Sequence, residues 1–257
     1  MYKKQIKQSL RGMLLTFSWG RALFRLRNNL LERSSFKSIG AAKGVFQDHY
    51  ETNFWANAES VSGAGSTVEY TANIRKMIPQ IVEELGNKVI LDAPCGDYNW
   101  LRMIEWKTPI TYTGGDIVKP LVKRNRALYE SDGRTFIDLD ILDDPLPPAD
   151  LWLCRDCLFH LSERDIFLAL DNFLKSDITY ILTSNHSDCD INFDIPTGSF
   201  RLLNLQLPPF CLGKPIRLID DWIEGYPVRH LALWSRQSVK DALAFNKAFQ
   251  RTAGSRR

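Results

Sequence analysis

No apolar run in this 257-residue chain approaches the about 18 residues that a membrane-spanning helix needs. Five cysteines are too few and odd in number for a disulfide framework, which favours a reducing compartment such as the cytoplasm. The net charge of +3 is too small to require a nucleic-acid partner. Only four histidines are present, so few side chains can serve as a base near neutral pH. Neither G-x-G-x-x-G nor G-x-x-x-x-G-K-[ST] occurs, which removes the usual cradles for a pyrophosphate or triphosphate. Internal repeats and low-complexity tracts are also missing.

What is present is an alternation of apolar runs and helical patterns. Strands are predicted at 88–92, 111–116, 134–138, 151–155, 178–183 and 231–235. Helices are predicted at 71–85, 98–104, 119–129, 162–173 and near 220–223. Such alternation specifies an α/β fold, a Rossmann-like, doubly wound, mainly parallel sheet. The run Val89-Ile-Leu-Asp92 ends in a carboxylate and enters the tight turn Ala93-Pro94-Cys95-Gly96-Asp97. A second strand ends at Asp116, close to the about 20 residues downstream at which an acid grips ribose hydroxyls. Asp97 would repel a pyrophosphate, so the turn suits an adenosine without phosphates and with a cationic head.

These residues resemble the class I S-adenosylmethionine (SAM)-dependent methyltransferases, whose first motif reads D/E-x-G-x-G-x-G. Asp92 matches its acid and Gly96 its central glycine, with Pro94 and Tyr98 in place of the outer two. The chain is most similar to a bacterial subgroup with poorly defined acceptors, which carries W-x-x-x-E-S-V-S-G-x-G-S (here Trp55 to Ser66), D-A-P-C-G-D and C-R-D-C-L-x-H-L-S. The likeness covers about residues 46–236 and implies a seven-stranded sheet, SAM as cofactor and methyl transfer as the activity. It also implies a cofactor site of Asp92, Pro94, Gly96, Asp116, Ile117, Asp140, Ile141 and Arg155. Asp116 would bind the ribose, and Asp140 with Ile141 the adenine. The Gly/Ser-rich stretch around Ser66 reads as a lid or as a plain linker. Beside it Trp55 could hold the sulfonium by cation–π attraction and Arg75 the methionyl carboxylate.

Methyl transfer needs mainly positioning and, for a hydroxyl acceptor, a base. His160 and His186 follow the fourth and fifth strands and are the candidates, with Asp156 as base or as the group that orients a histidine; His160 can equally be a packed helix-entry residue. The expected acceptor is a glycan or small polar molecule, bound by Asn192, Asp194, Arg201 and Asn204 of the Pro/Gly-rich insertion 191–218. Methylation of nucleic acid or protein, and a non-catalytic SAM-binding scaffold, remain open alternatives. No metal is expected: Cys154 and Cys157 read as core residues, and the acidic loop after His186 as a solvated one. Leu207-Pro-Pro-Phe210 resembles a base-methylation signature but lies too late in the chain and reads as a turn.

The domain division places a basic helical extension at 1–45, the main domain at 46–240 and a tail at 241–257. Residues 1–37 carry nine basic residues against one acid, Glu32, with Leu10, Met13, Leu14 and Phe17 at helical spacing. This pattern suits packing on the domain, a cleavable targeting segment, or peripheral contact with an anionic membrane or partner.

Overall fold

The structure, a computed structural model, describes residues 41–254. The basic segment and its expected membrane contact lie outside the described residues. Helix α1 (Ala41–Glu51) comes first, then a loop with one 3-10 turn, and α2 (Ala72–Glu84). Next come β1 (Val89–Asp92), β2 (Thr111–Asp116), α3 (Lys119–Tyr129), β3 (Arg134–Asp138), β4 (Leu151–Cys154), α4 (Glu163–Lys175) and β5 (Tyr180–Asn185). The chain ends with β6 (Arg217–Asp220), β7 (His230–Ser235) and α5 (Arg236–Gly254).

The seven strands form one sheet in the order β3-β2-β1-β4-β5-β7-β6. All pairs are parallel except those of β7, which runs antiparallel to both neighbours. Burial on both faces explains the near-continuous apolar runs of the central strands β1 and β4. Leu91, Trp152, Cys154, Ile181 and Trp234 face α4 and α5. Ile90, Leu151, Leu153, Leu182 and Leu233 face α2 and α3. Pairing of Asp92 with Gly114 and of Asp116 with Asp138 aligns the carboxyl ends of β1, β2 and β3 along one rim. Helix α4 starts where Ser162 Oγ accepts the Asp165 N–H at 3.1 Å, an N-cap.

Three expectations are corrected. The helix predicted at 98–104 is a single 3-10 turn, Leu101–Met103, because Tyr98 takes a left-handed φ of 58° and the segment turns inward to bury Tyr98, Trp100 and Leu101. No helix forms near 220–223: strand β6 ends at Asp220, residues 221–223 are irregular, and the exposed Arg217 and Leu218 gave the strand no apolar run. Residues 236–254, partly assigned to a tail, form the continuous helix α5.

Candidate functional site

The carboxylates that end β1 and β2, Asp92 and Asp116, open with Asp140 on one cavity of about 1320 Å³ at the carboxyl rim of the sheet. The turn after β1 forms its floor. Gly96 has φ 55°, and a Cβ there would stand 2.3 Å from Ser62 Oγ, so only glycine lets the turn and the 59–66 loop approach so closely. The Gly96 N–H and the Val118 N–H each donate to Asp116 at 3.0 Å, while Asn125 Nδ2 donates to the Gly96 carbonyl at 2.7 Å. The turn is thereby fixed to β2 and α3.

Asp97 does not face a ligand phosphate. It pins the 59–66 loop, accepting from Ser60 Oγ and the Val61 N–H, both at 3.0 Å. Asn99 adds a second pin, its Nδ2 donating to the Ser66 carbonyl at 3.1 Å and to Glu59 at 2.8 Å. Sequence reasoning missed Asp97 and Asn99 as lid anchors. The available signal was two polar residues in a turn with no phosphate to bind.

The carboxylates differ in state. Burial pushes Asp92 up to about 7 against the lowering effect of the Tyr112 hydroxyl, which donates at 2.8 Å. Burial also raises Asp116 to about 6, opposed by its backbone N–H donors. Asp140 is half-buried and raised by burial, and accepts from the Leu142 N–H at 3.0 Å. Ile141, next to it, is held by Asn172 Nδ2, which donates to the Ile141 carbonyl at 3.0 Å.

Beyond β4 lies a buried cluster of two acids and two bases. Arg155 grips Asp221 in bidentate fashion at 2.8 and 3.0 Å and donates to the Gly65 carbonyl at 2.7 Å. Arg229 pairs with Asp156 at 2.6 Å and Asp221 at 3.1 Å. Burial works to raise Asp156, but the Arg155 and Arg229 guanidinium groups outweigh it and hold the carboxyl below its usual range. Asp156 is therefore a fixed counter-ion, poorly suited to taking up a proton.

His160 Nδ1 lies 2.7 Å from the Ser199 carbonyl. A carbonyl only accepts, so Nδ1 carries the hydrogen and Nε2 keeps its lone pair. Burial lowers His160 to about 4, which keeps it neutral. Around it the cavity wall is aromatic. His160 lies 4.6 Å from Phe159, 5.9 Å from Phe200 and 6.2 Å from Trp55 between ring centroids. Phe54 stacks on His49 at 4.1 Å, and Trp55 meets His49 edge-on at 5.2 Å.

Of the residues singled out from sequence, the cavity brings together Asp92, Pro94, Gly96, Asp116, Ile117, Asp140, Ile141, Arg155, Asp156, His160, Trp55 and Ser66. Arg75 lies off the cavity, its guanidinium donating to the Val68 carbonyl at 2.9 Å. His186 is buried behind Phe159, and its Nδ1 accepts the Leu203 N–H at 3.2 Å, so it does not reach the cavity. The four insertion residues are also misplaced for acceptor binding. The Asn192 side chain donates to the Asn204 carbonyl at 2.8 Å and accepts the Asn204 N–H at 2.9 Å, Asn204 Nδ2 donates to the Cys189 carbonyl at 3.0 Å, Arg201 is fully buried, and exposed Asp194 accepts the Glu163 N–H at 2.7 Å. The insertion reaches the cavity instead through Gly198, Ser199 and Phe200. Cys154 and Cys157 are buried in the core, and Phe210 packs on Phe167 at 5.2 Å.

No family model and no curated protein matches the sequence. Solved structures do. Magnesium protoporphyrin IX methyltransferase from Synechocystis PCC 6803 with bound SAM aligns at TM-score 0.55 and 14% identity, over 79% of this chain and 100% of that one. The Burkholderia thailandensis 1,6-didemethyltoxoflavin-N1-methyltransferase, with 1,6-didemethyltoxoflavin and S-adenosylhomocysteine bound, aligns at 0.53 and 14%, over 79% of this chain and 92% of that one. The Synechocystis enzyme with bound SAH aligns at 0.52 and 13%, over 74% and 93%. This chain has the class I SAM-dependent methyltransferase fold.

Proposed function

We propose that this protein transfers a methyl group from SAM to a hydroxyl of a small molecule. The observation that carries the reading is the row of Asp92, Asp116 and Asp140 along the rim, joined to a turn that lacks any phosphate cradle. Such a rim suits a ribose and an adenine, and Asp97, used to pin the lid, leaves no place for a pyrophosphate. At about 1320 Å³ the cavity exceeds the roughly 300–1000 Å³ of a single-ligand site, leaving room for a second molecule beside the cofactor. The similar folds with SAM or S-adenosylhomocysteine bound support the cofactor, and the one holding a heterocycle supports a small acceptor.

Each residue's work follows from its place. Asp116 accepts from the ribose hydroxyls, and Asp140 with Ile141 borders the base. The chemistry supplied by bound SAM is an already activated methyl group, so the protein's task is alignment. His160 Nε2 accepts the hydrogen bond of the acceptor hydroxyl, aims its oxygen, and passes the released proton to water. The 59–66 loop, closed by Asp97, Asn99 and Arg155, excludes solvent. Calorimetric titration with SAM and S-adenosylhomocysteine tests the first half, and release of labelled S-adenosylhomocysteine on adding an acceptor tests the second. A folded protein that binds neither compound would refute the reading.

A further inference from the structure

Two walls of the cavity, apart from the row of carboxylates, are aromatic. One comes from α1 and the turn after it, where Phe46, Tyr50, Phe54 and Trp55 face the cavity. The other comes from the end of β4 and the insertion, through Phe159, His160 and Phe200. Trp55 and His160, 6.2 Å apart between centroids, join the two. The walls are held together by a specific contact: Gly198 has φ 91°, and a Cβ there would stand 2.1 Å from Val45 Cγ1 of α1. Helix α1 thus rests directly on the insertion backbone. Gly63 also approaches Trp55: a Cβ there would stand 3.1 Å from Trp55 Cβ and 3.2 Å from Cγ of the indole, so the lid packs on the tryptophan.

We infer that the second molecule held here is a planar aromatic or heteroaromatic compound bearing a hydroxyl, lying against these walls with its hydroxyl donating to His160 Nε2. The inference rests on the methyltransferase reading for its place in the reaction. Aromatic faces and edges favour flat π-systems through their quadrupoles, beyond simple burial of area. A saturated polyol would need several fixed donors and acceptors. The amide and guanidinium groups of the insertion cannot supply them: Asn192 and Asn204 are spent on backbone groups, and Arg201 is sealed in the interior. A charged acceptor is not favoured either. Arg229 and Arg155 are matched by Asp156 and Asp221, and burial keeps His160 neutral. The His160 lone pair is then an acceptor set among aromatic rings, which calls for a donor on an otherwise apolar plane.

Naphthol serves as the planar probe and methyl glucoside as the saturated one. Each is titrated into the protein by calorimetry, with and without saturating S-adenosylhomocysteine. Naphthol is expected to saturate a single site, and methyl glucoside to give no binding heat. Trp55→Ala should weaken naphthol by about tenfold, the value of one lost aromatic contact. Circular dichroism and the melting temperature of the same variant should match wild type, which reports that it is folded. Trp55→Phe should recover most of the naphthol affinity. Gly198→Ala, which displaces α1, should weaken naphthol and spare S-adenosylhomocysteine. Naphthol binding unchanged in Trp55→Ala, or methyl glucoside bound in preference to naphthol, would overturn the inference. Failure of wild-type protein to bind S-adenosylhomocysteine while naphthol still saturates the site would instead strike the methyltransferase reading and leave the aromatic site standing.

Discussion

The Gly96 amide and the Asp116 carboxylate are bonded directly, at 3.0 Å, across the gap between the first turn and the end of β2. One oxygen of Asp116 thus shapes the turn, while the Val118 N–H holds the other. The carboxylate is oriented before any ligand arrives, and its remaining lone pairs are directed by the backbone.

Asp116→Ala should therefore lose ligand contacts and turn geometry together. A hydrogen bond to a charged group is worth about 1.5–3 kcal/mol, so SAM affinity should fall by about 10- to 100-fold. Calorimetry on the folded variant is the check, and unchanged affinity would remove Asp116 from the site.

Asp97→Ala should free the 59–66 loop while leaving the sheet intact. Amide hydrogen exchange across residues 59–66 is expected to accelerate, with SAM affinity lower by about tenfold as a charge-assisted bond is lost. Exchange equal to wild type would show that Asp97 is not the pin.

His160 is neutral down to about pH 4, so its protonation should not limit turnover between pH 8 and 5. The loss assigned to this group comes only as pH approaches 4. His160→Gln should lower kcat by about 100-fold if the ring takes part in proton transfer, with SAM binding unaffected. An unaltered kcat and pH profile in the variant would leave His160 a packing residue.

Asp92 is raised to about 7 by burial, so the folded state binds its proton more tightly than the unfolded chain does. Its contribution is fully present below the unfolded carboxylate value near 4 and is lost as pH rises through about 7. Asp92→Asn keeps an acceptor for Tyr112 and removes this loss. The ligand-free variant should melt with wild type at pH 4 and a few degrees above it at pH 8, in thermal scans at both pH values.

Asp221 is almost wholly buried and answers two guanidinium groups at once. Its removal leaves Arg155 and Arg229 with too little compensation in a low-dielectric site. Asp221→Ala should cost about 3–5 kcal/mol of unfolding free energy. Chemical denaturation measures this, and a cost below about 1 kcal/mol, typical of an exposed pair, would contradict the arrangement.

The legible part of the fold was the part with a simple physical signature. Strands β1 and β4 stand in the chain as apolar runs because both faces of the sheet are covered there, and the acids that end β1, β2 and β3 mark where those strands stop. Strand β6 was missed since it is short and exposes Arg217 and Leu218 at the sheet edge. Asn192 and Asn204 were misread for a different reason. A polar side chain that satisfies a buried backbone looks the same in sequence as one that greets a ligand. Asp221 gave no warning, since its partners lie 66 residues before it and 8 after it. The aromatic walls were hidden by distance as well, although Phe46, Tyr50 and Phe54 recur at a spacing of four and could have been read as one helical stripe.

The docking of α1 on Gly198 divides the cavity by origin. The contacts proposed for the cofactor come from turns rooted in the sheet, whereas the aromatic walls come largely from residues 46–55 and 198–200, outside any strand. A chain so arranged can be retargeted piecewise. Exchange of these two peripheral segments would reshape the aromatic walls without touching the turns that the sheet carries.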